Sequence, residues 1–314
     1  MFNRYLTYYP AAIQFVLLCG ISSMCLILGQ YASGVVFEKV AGIPLTSILS
    51  LNEISPQLAY QIKLLQPFTQ VLCLLLPAWL FAYFAYPVPL QYLGAGKKIN
   101  FQFLVIAVLL FAAALPFSSL LEELSRLVPM LNPKEPDIQD KLYTAMLKGG
   151  KVSDLLFNTV VICLIPAIAE EFFFRACLQQ VLLNWMRKYP FTAMMLVAVA
   201  FSAFHGQLSG FLPRVYLGYV LCLVYYFTGN IWYSVLIHFL NNFLIVFVAF
   251  WSERGLLPFD YLEQSHLHWT IGVASLAGTL ALIYYFYKKR IVFVPVEIEK
   301  DRETEEDGWP GKPL

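Results

Sequence analysis

Eight long apolar runs divide this chain, and they restrict its folding more than any other feature. They cover roughly 11–33, 67–86, 101–121, 155–183, 191–205, 212–228, 231–251 and 269–287, the fifth and sixth being short. A bilayer core of about 30 Å takes about 20 residues of helix to cross, and the runs reach or approach that length. Backbone amides in lipid must be bonded within the protein, which leaves helices and closed barrels. The runs are continuously apolar and lack the alternation of barrel strands, so helices are expected. The predicted fold is all-α: a polytopic membrane bundle of about eight transmembrane helices, solvated by lipid.

The composition excludes the main alternatives. Hydrophobic residues make up 59% and charged residues 13% of the chain, against about 45–50% and about 25% in soluble proteins. Neither a soluble enzyme nor a disordered chain has this balance. Lys and Arg number 21 against 20 Asp and Glu, so no basic field attracts nucleic acid. The partner this surface requires is membrane lipid, and no residue sets an oligomeric state. Cys19, Cys25, Cys73, Cys163, Cys177 and Cys222 all lie in apolar runs with no CxxC among them, as small buried hydrophobes do. The first run follows Arg4, exceeds 20 residues and has no A-x-A site, so it is expected to be a retained anchor.

Between the runs, residues 56–65 and 137–148 place Leu58, Ile62 and Leu65, then Ile138, Leu142 and Met146, at helical spacing. Both stretches are too polar to span and are predicted to be interfacial amphipathic helices. The second follows a proline-rich break at Pro129, Pro133 and Pro136. The chain thus divides into N-terminal membrane helices and interfacial segments (1–154), a helical core (155–290) and an acidic disordered tail (291–314). Arg4, Lys97, Lys98, Arg187, Lys188 and the Lys288-Lys289-Arg290 run gather at helix ends on one side, which predicts both termini in the cytoplasm. Trp251 and Trp269 suit an interfacial belt, and His266 and His268 a solvated or interfacial connection.

The residues that do not suit lipid are Glu170, Glu171 and Arg175, near the middle of the fourth run. A charged group there costs about 2.5–3.5 kcal/mol on the insertion scale, and intramembrane ionisable residues mark functional sites. Glu171 and Arg175 stand at i and i+4, the favourable order for an ion pair. Glu170 points about 100° away, which leaves it as the free acid or base. Pro166, one turn earlier, is a candidate kink that opens a polar cavity. The fifth run ends with Phe201-Ser202-Ala203-Phe204-His205, and the seventh carries His238 and Asn242 on one face, with Asn241 pointing elsewhere. Glu170 and His205 each lie about 25 Å along helix from the Arg187-Lys188 turn, so adjacent antiparallel helices bring them to one level. His238 joins them if the fourth and fifth runs project some 13 Å past the sixth and seventh.

Two chemistries fit this set. Glu170 can take a proton from a water that attacks a carbonyl and return it to the leaving amine, with His205, His238 and Asn242 stabilising the oxyanion. Alternatively Glu170, His205 and His238 can hold zinc and polarise its water. The residues alone leave both open. No serine elbow or Cys/His pattern supports a covalent nucleophile.

Taken together, Glu170-Glu171-x-x-x-Arg175, Phe201-x-x-x-His205 and His238-x-x-x-Asn242, in that order on separate apolar runs, resemble the three motifs of the CPBP intramembrane protease family. That family includes the CAAX prenyl endopeptidases and bacteriocin-processing or immunity proteins. The resemblance covers about 155–251. It implies an endopeptidase acting on a membrane-associated peptide or lipidated protein near the cytoplasmic face. Glu170 would activate water, Glu171 and Arg175 would support it, and His205, His238 and Asn242 would be oxyanion or metal partners. Members of the family are described both as metalloproteases and as glutamate-activated hydrolases. The metal-free version is preferred, because Asn242 is a natural oxyanion donor and a poor zinc ligand; no cofactor is then expected, with zinc as the alternative. A non-catalytic binding or immunity protein on the same bundle is the second expectation. A transporter is the third, disfavoured by the lack of interrupted helices in matching positions of two halves.

Overall fold

The computed structural model describes residues 9–51, 53–128, 138–256 and 268–290, together with Leu6 and Leu131. The described chain is helical, with no strand among the described residues. In chain order the helices are α1 (Ala11–Ala41), α2 (Pro56–Ala85), α3 (Phe101–Arg126), α4 (Ile138–Leu147), α5 (Val152–Trp185), α6 (Pro190–Phe204), α7 (Phe211–Thr228), α8 (Ile231–Glu253) and α9 (Trp269–Lys289). Seven of them are long and apolar enough to cross a membrane. The polytopic all-α bundle is therefore the fold of this chain. The fifth of the eight expected spans is α6, which has only 15 residues; it covers about 22 Å, less than the bilayer core of about 30 Å.

Local chemistry sets the helix ends. Ser55 accepts a hydrogen bond from the Leu58 amide, with Pro56 opening α2. Asn100 caps α3 and Asn230 caps α8 in the same way, each satisfying amides that a helix leaves without partners. At the other ends, α1 and α7 stop at Gly42 and Gly229, both left-handed. One clasp draws two loops together. Gly94, with φ of 70°, lies so near the Gly229 carbonyl that a Cβ there would sit 2.9 Å from its oxygen. The Asn230 amide donates to the Lys97 and Lys98 carbonyls at 3.4 and 3.3 Å, and Trp232 Nε1 donates to the Ala95 carbonyl at 2.9 Å.

Two sequence expectations need correction. The first span runs on to Ala41, well past residue 33. The stretch 56–65 is no separate interfacial helix, because it continues without interruption into the second span. Its amphipathic stripe faces protein: Leu58, Ile62 and Leu65 are buried with Phe37, Val161 and Val246. Lys63 is buried too, its ammonium 6.0 Å from the Phe157 ring centroid. The second amphipathic stretch does form a short helix of its own, α4, which packs on α2. The expectations for Arg4, for the break at Pro129, Pro133 and Pro136, for His266 and for the tail from 291 fall outside the described residues.

α5 is the central helix. It touches α1, α2, α6, α7 and α8, whereas α9 packs chiefly on α3 at the periphery. α1 and α9 turn Val16, Ile27, Tyr31, Leu280 and Tyr284 outward. Such apolar outer faces suit a hydrocarbon solvent. The polar residues of α5 consequently lie where other helices, and not lipid, surround them.

Candidate active site

The middle of α5 is bracketed by two widened, π-helical turns, Thr159–Leu164 and Phe174–Gln179. Such turns insert a residue and re-aim the side chains that follow, and they recur at functional sites. Pro166, which has no N–H to give, stands just after the first of them. The α-helical stretch between, Ile165–Phe173, holds Glu170 and Glu171, both buried.

Glu171 and Arg175 form an ion pair of 2.7 Å, with both side chains fully buried. The guanidinium also lies 4.4 Å from the Phe201 ring centroid, and its Nη2 donates to the Gly218 carbonyl at 3.3 Å. Gly218 makes this fit possible. A Cβ there would come within 3.2 Å of Phe201 Cδ1 and 3.6 Å of Arg175 Nη2. Glu171 Oε1 meets His238 Nδ1 at 2.8 Å. An ion-paired carboxylate only accepts, so Nδ1 of His238 carries the proton.

Glu170 is placed differently. Its Oε1 accepts from Gln70 Nε2 at 3.3 Å. Its Oε2 faces His238 Nε2 at 3.7 Å and His205 Nε2 at 3.9 Å, both beyond direct hydrogen-bond range. His205 stands just past the end of α6, and its Nδ1 donates to the Phe201 carbonyl at 2.9 Å. A carbonyl too can only accept, so Nδ1 of His205 carries a proton as well, and both rings turn Nε2 toward the same carboxylate oxygen. The Phe201 ring meets both imidazoles edge-on, with centroids at 4.9 Å for His205 and 5.7 Å for His238.

These groups border a cavity of about 360 Å³, on whose wall lie Glu170, His205, His238 and Asn242. Glu171 and Arg175 lie behind that wall. Asn241, expected to point elsewhere, also lines the cavity and donates to Asn242 Oδ1 at 3.4 Å; its amide swings beside its neighbour's. Polar lining residues that were not singled out in the sequence are Gln66 and Gln70 of α2, Tyr143 of α4, and Gln207 and Arg214. Arg214 Nη2 donates to the Gln207 carbonyl. The one signal for the α2 pair was two amides at i and i+4, which share a helix face.

One carboxylate and two imidazoles are donors that zinc accepts. Among the described residues, however, no group of three or more His, Cys, Asp or Glu side chains is gathered so as to hold a metal ion. No step is derived through a metal.

Residues 152–244 match the family model described as type II CAAX prenyl endopeptidase Rce1-like. This segment belongs to the CPBP/CAAX protease family. The CAAX-protease segment runs from the start of α5 into α8 and carries Glu170, Glu171, Arg175, His205, His238 and Asn242. Everything before Val152, including α2 with Gln66 and Gln70, lies outside it. No curated protein and no solved structure matches the chain. The family is one of peptidases, and with seven long apolar helices the chain is an integral, multi-pass membrane protein.

Proposed function

We propose that this protein is a CAAX-type intramembrane endopeptidase in which Glu170 takes the proton of a water molecule that attacks the scissile carbonyl. The observation that carries this reading is that Glu170 lines the cavity and turns an unpartnered Oε2 toward two imidazole Nε2 atoms. A water here donates one hydrogen to Glu170 Oε2 and the other to one of the two imidazole Nε2 atoms, with an oxygen lone pair left for attack. Glu170 then returns the proton to the leaving amine. The Asn242 amide is the neutral donor for the oxyanion, as His205 or His238 would be when its Nε2 carries a proton from the start. Glu171 and Arg175 act from behind. They hold the His238 ring so that Nε2 faces the cavity, in the way a second carboxylate orients a catalytic histidine.

The substrate of this reading is a prenylated or otherwise membrane-held peptide, by analogy with the matched family. The same reading has both termini in the cytoplasm. In support, the Asn230 bonds to Lys97 and Lys98 put one basic cluster at the same end as the α7–α8 turn.

The test is cleavage of a prenylated CAAX peptide by purified protein in detergent. The wild-type chain is expected to cut it, and Glu170→Gln to lower turnover by about 1,000-fold without changing thermal unfolding. A chelator is expected to leave the rate unchanged. Wild-type turnover by Glu170→Gln overturns the role of Glu170. Loss of activity with chelator, restored by zinc, overturns the metal-free mechanism. A phenotype in cells that persists in Glu170→Gln favours a non-catalytic binding or immunity role.

A further inference from the structure

Part of the cavity wall belongs to α2, outside the family match. It carries two uncharged amides, Gln66 and Gln70, both lining the cavity. They stand one turn apart, about 6 Å along the helix. The side-chain oxygens of both are buried, and neither has a hydrogen-bond partner within the protein. For Gln70 the orientation of the amide is fixed. Its Nε2 donates to Glu170 Oε1, and a carboxylate accepts only, so its Oε1 is turned away from the glutamate. Buried acceptors are rarely left without a donor. Two of them, on one helix face and beside a catalytic carboxylate, lack donors, and a substrate N–H can supply one to each as these side chains shift toward the cavity they line.

An extended peptide supplies such groups at the matching interval. Its same-side N–H groups recur every second residue, about 6.6 Å apart, close to the rise between Gln66 and Gln70. We propose that Gln66 and Gln70 are a docking ladder for the backbone of an extended substrate peptide, their Oε1 atoms accepting two N–H groups two residues apart. This rests on the endopeptidase reading and names how that site holds its substrate. Gln70 has a double part, because the amide that receives the substrate through Oε1 holds Glu170 through Nε2. It is a positioning residue for Glu170, and it sets the distance between peptide backbone and carboxylate. Gln66 makes no contact with Glu170 and serves docking alone. Recognition through backbone N–H groups fixes the register of cleavage while leaving side chains on that stretch unselected.

The test combines substrate and protein changes. A prenylated CAAX peptide is made in versions carrying one N-methyl group at each successive backbone nitrogen, which deletes one N–H at a time. For the wild-type protein, methylation is expected to lower kcat/KM about 5- to 10-fold at two positions separated by one residue. Gln66→Met keeps the side-chain volume and removes the acceptor. It is expected to raise KM for the unmethylated peptide about 5-fold with kcat unchanged, and to abolish the penalty at one of the two positions only. Gln70→Met is expected to abolish the other penalty and lower kcat as well; Gln70→Glu serves as a second variant, keeping an acceptor while removing the donor to Glu170. Methylation penalties that lack the two-residue interval, or that stay the same in Gln66→Met, overturn the ladder while the endopeptidase reading stands. A wild-type protein that leaves the unmethylated peptide intact overturns that reading and the ladder with it.

Discussion

Two adjacent glutamates on α5 have opposite surroundings. Glu171 sits with Arg175 and His238 in an interior node, where Arg175 Nη1 and His238 Nδ1 both meet Glu171 Oε1 within 2.8 Å. Glu170, next in the chain, opens onto a cavity and keeps both imidazole nitrogens at 3.7 Å or more. The closed node is spent on geometry, since its groups are tied to one another and none lines the cavity except His238. The open node has unfilled acceptor capacity directed at a space that a reactant can enter. Adjacent carboxylates in one helix can therefore divide the work, one holding the other's partners in place.

Three substitutions sharpen or break this contrast, from the largest expected effect to the smallest. Arg175→Met leaves the Glu171 charge buried without its counterion, and removing one partner of a buried pair costs about 3–5 kcal/mol. Thermal unfolding in detergent is expected to fall accordingly, with activity lost alongside the fold; an unchanged unfolding profile would show that the closed node carries no stability. Asn242→Ala touches only the open node. It is expected to lower kcat about 100-fold with unfolding unaltered, measured in the same peptide assay; a change confined to KM argues against an oxyanion role. Phe201→Leu acts on both nodes, because one ring lies under the Arg175 guanidinium and against both imidazoles. The loss is expected to be about 1–2 kcal/mol of stability, with a modest fall in kcat. If kcat falls without any loss of stability, the ring serves the imidazoles alone.

Much of the bundle was legible because lipid forces a coarse code: long apolar runs become helices. The charged residues stood out for the same reason, since Glu170, Glu171 and Arg175 have no place in a lipid-facing stripe. The α2 contribution was hidden. Gln66 and Gln70 straddle the point where the apolar run was taken to begin, and an uncharged amide there reads like the edge of a span. The stretch before it looked interfacial because an amphipathic stripe does not reveal whether protein or headgroups cover it. Asn241 was misplaced because helix spacing fixes a Cβ direction and not where a flexible amide finally turns. The widened turns of α5 left no trace in the apolar pattern, as an inserted residue in a helix that is hydrophobic on most sides disturbs no periodicity.

The shortness of α6 has a consequence for the surrounding membrane. A wall of about 22 Å beside hydrocarbon of about 30 Å obliges the adjoining lipids to thin or tilt, at a small cost per ångström of mismatch. His205 stands just past the end of that wall, so the dimple in the leaflet forms beside the proposed chemistry. On the proposed reading, the acyl-chain length of the surrounding lipid becomes a variable that tunes cleavage of a lipid-anchored substrate from outside.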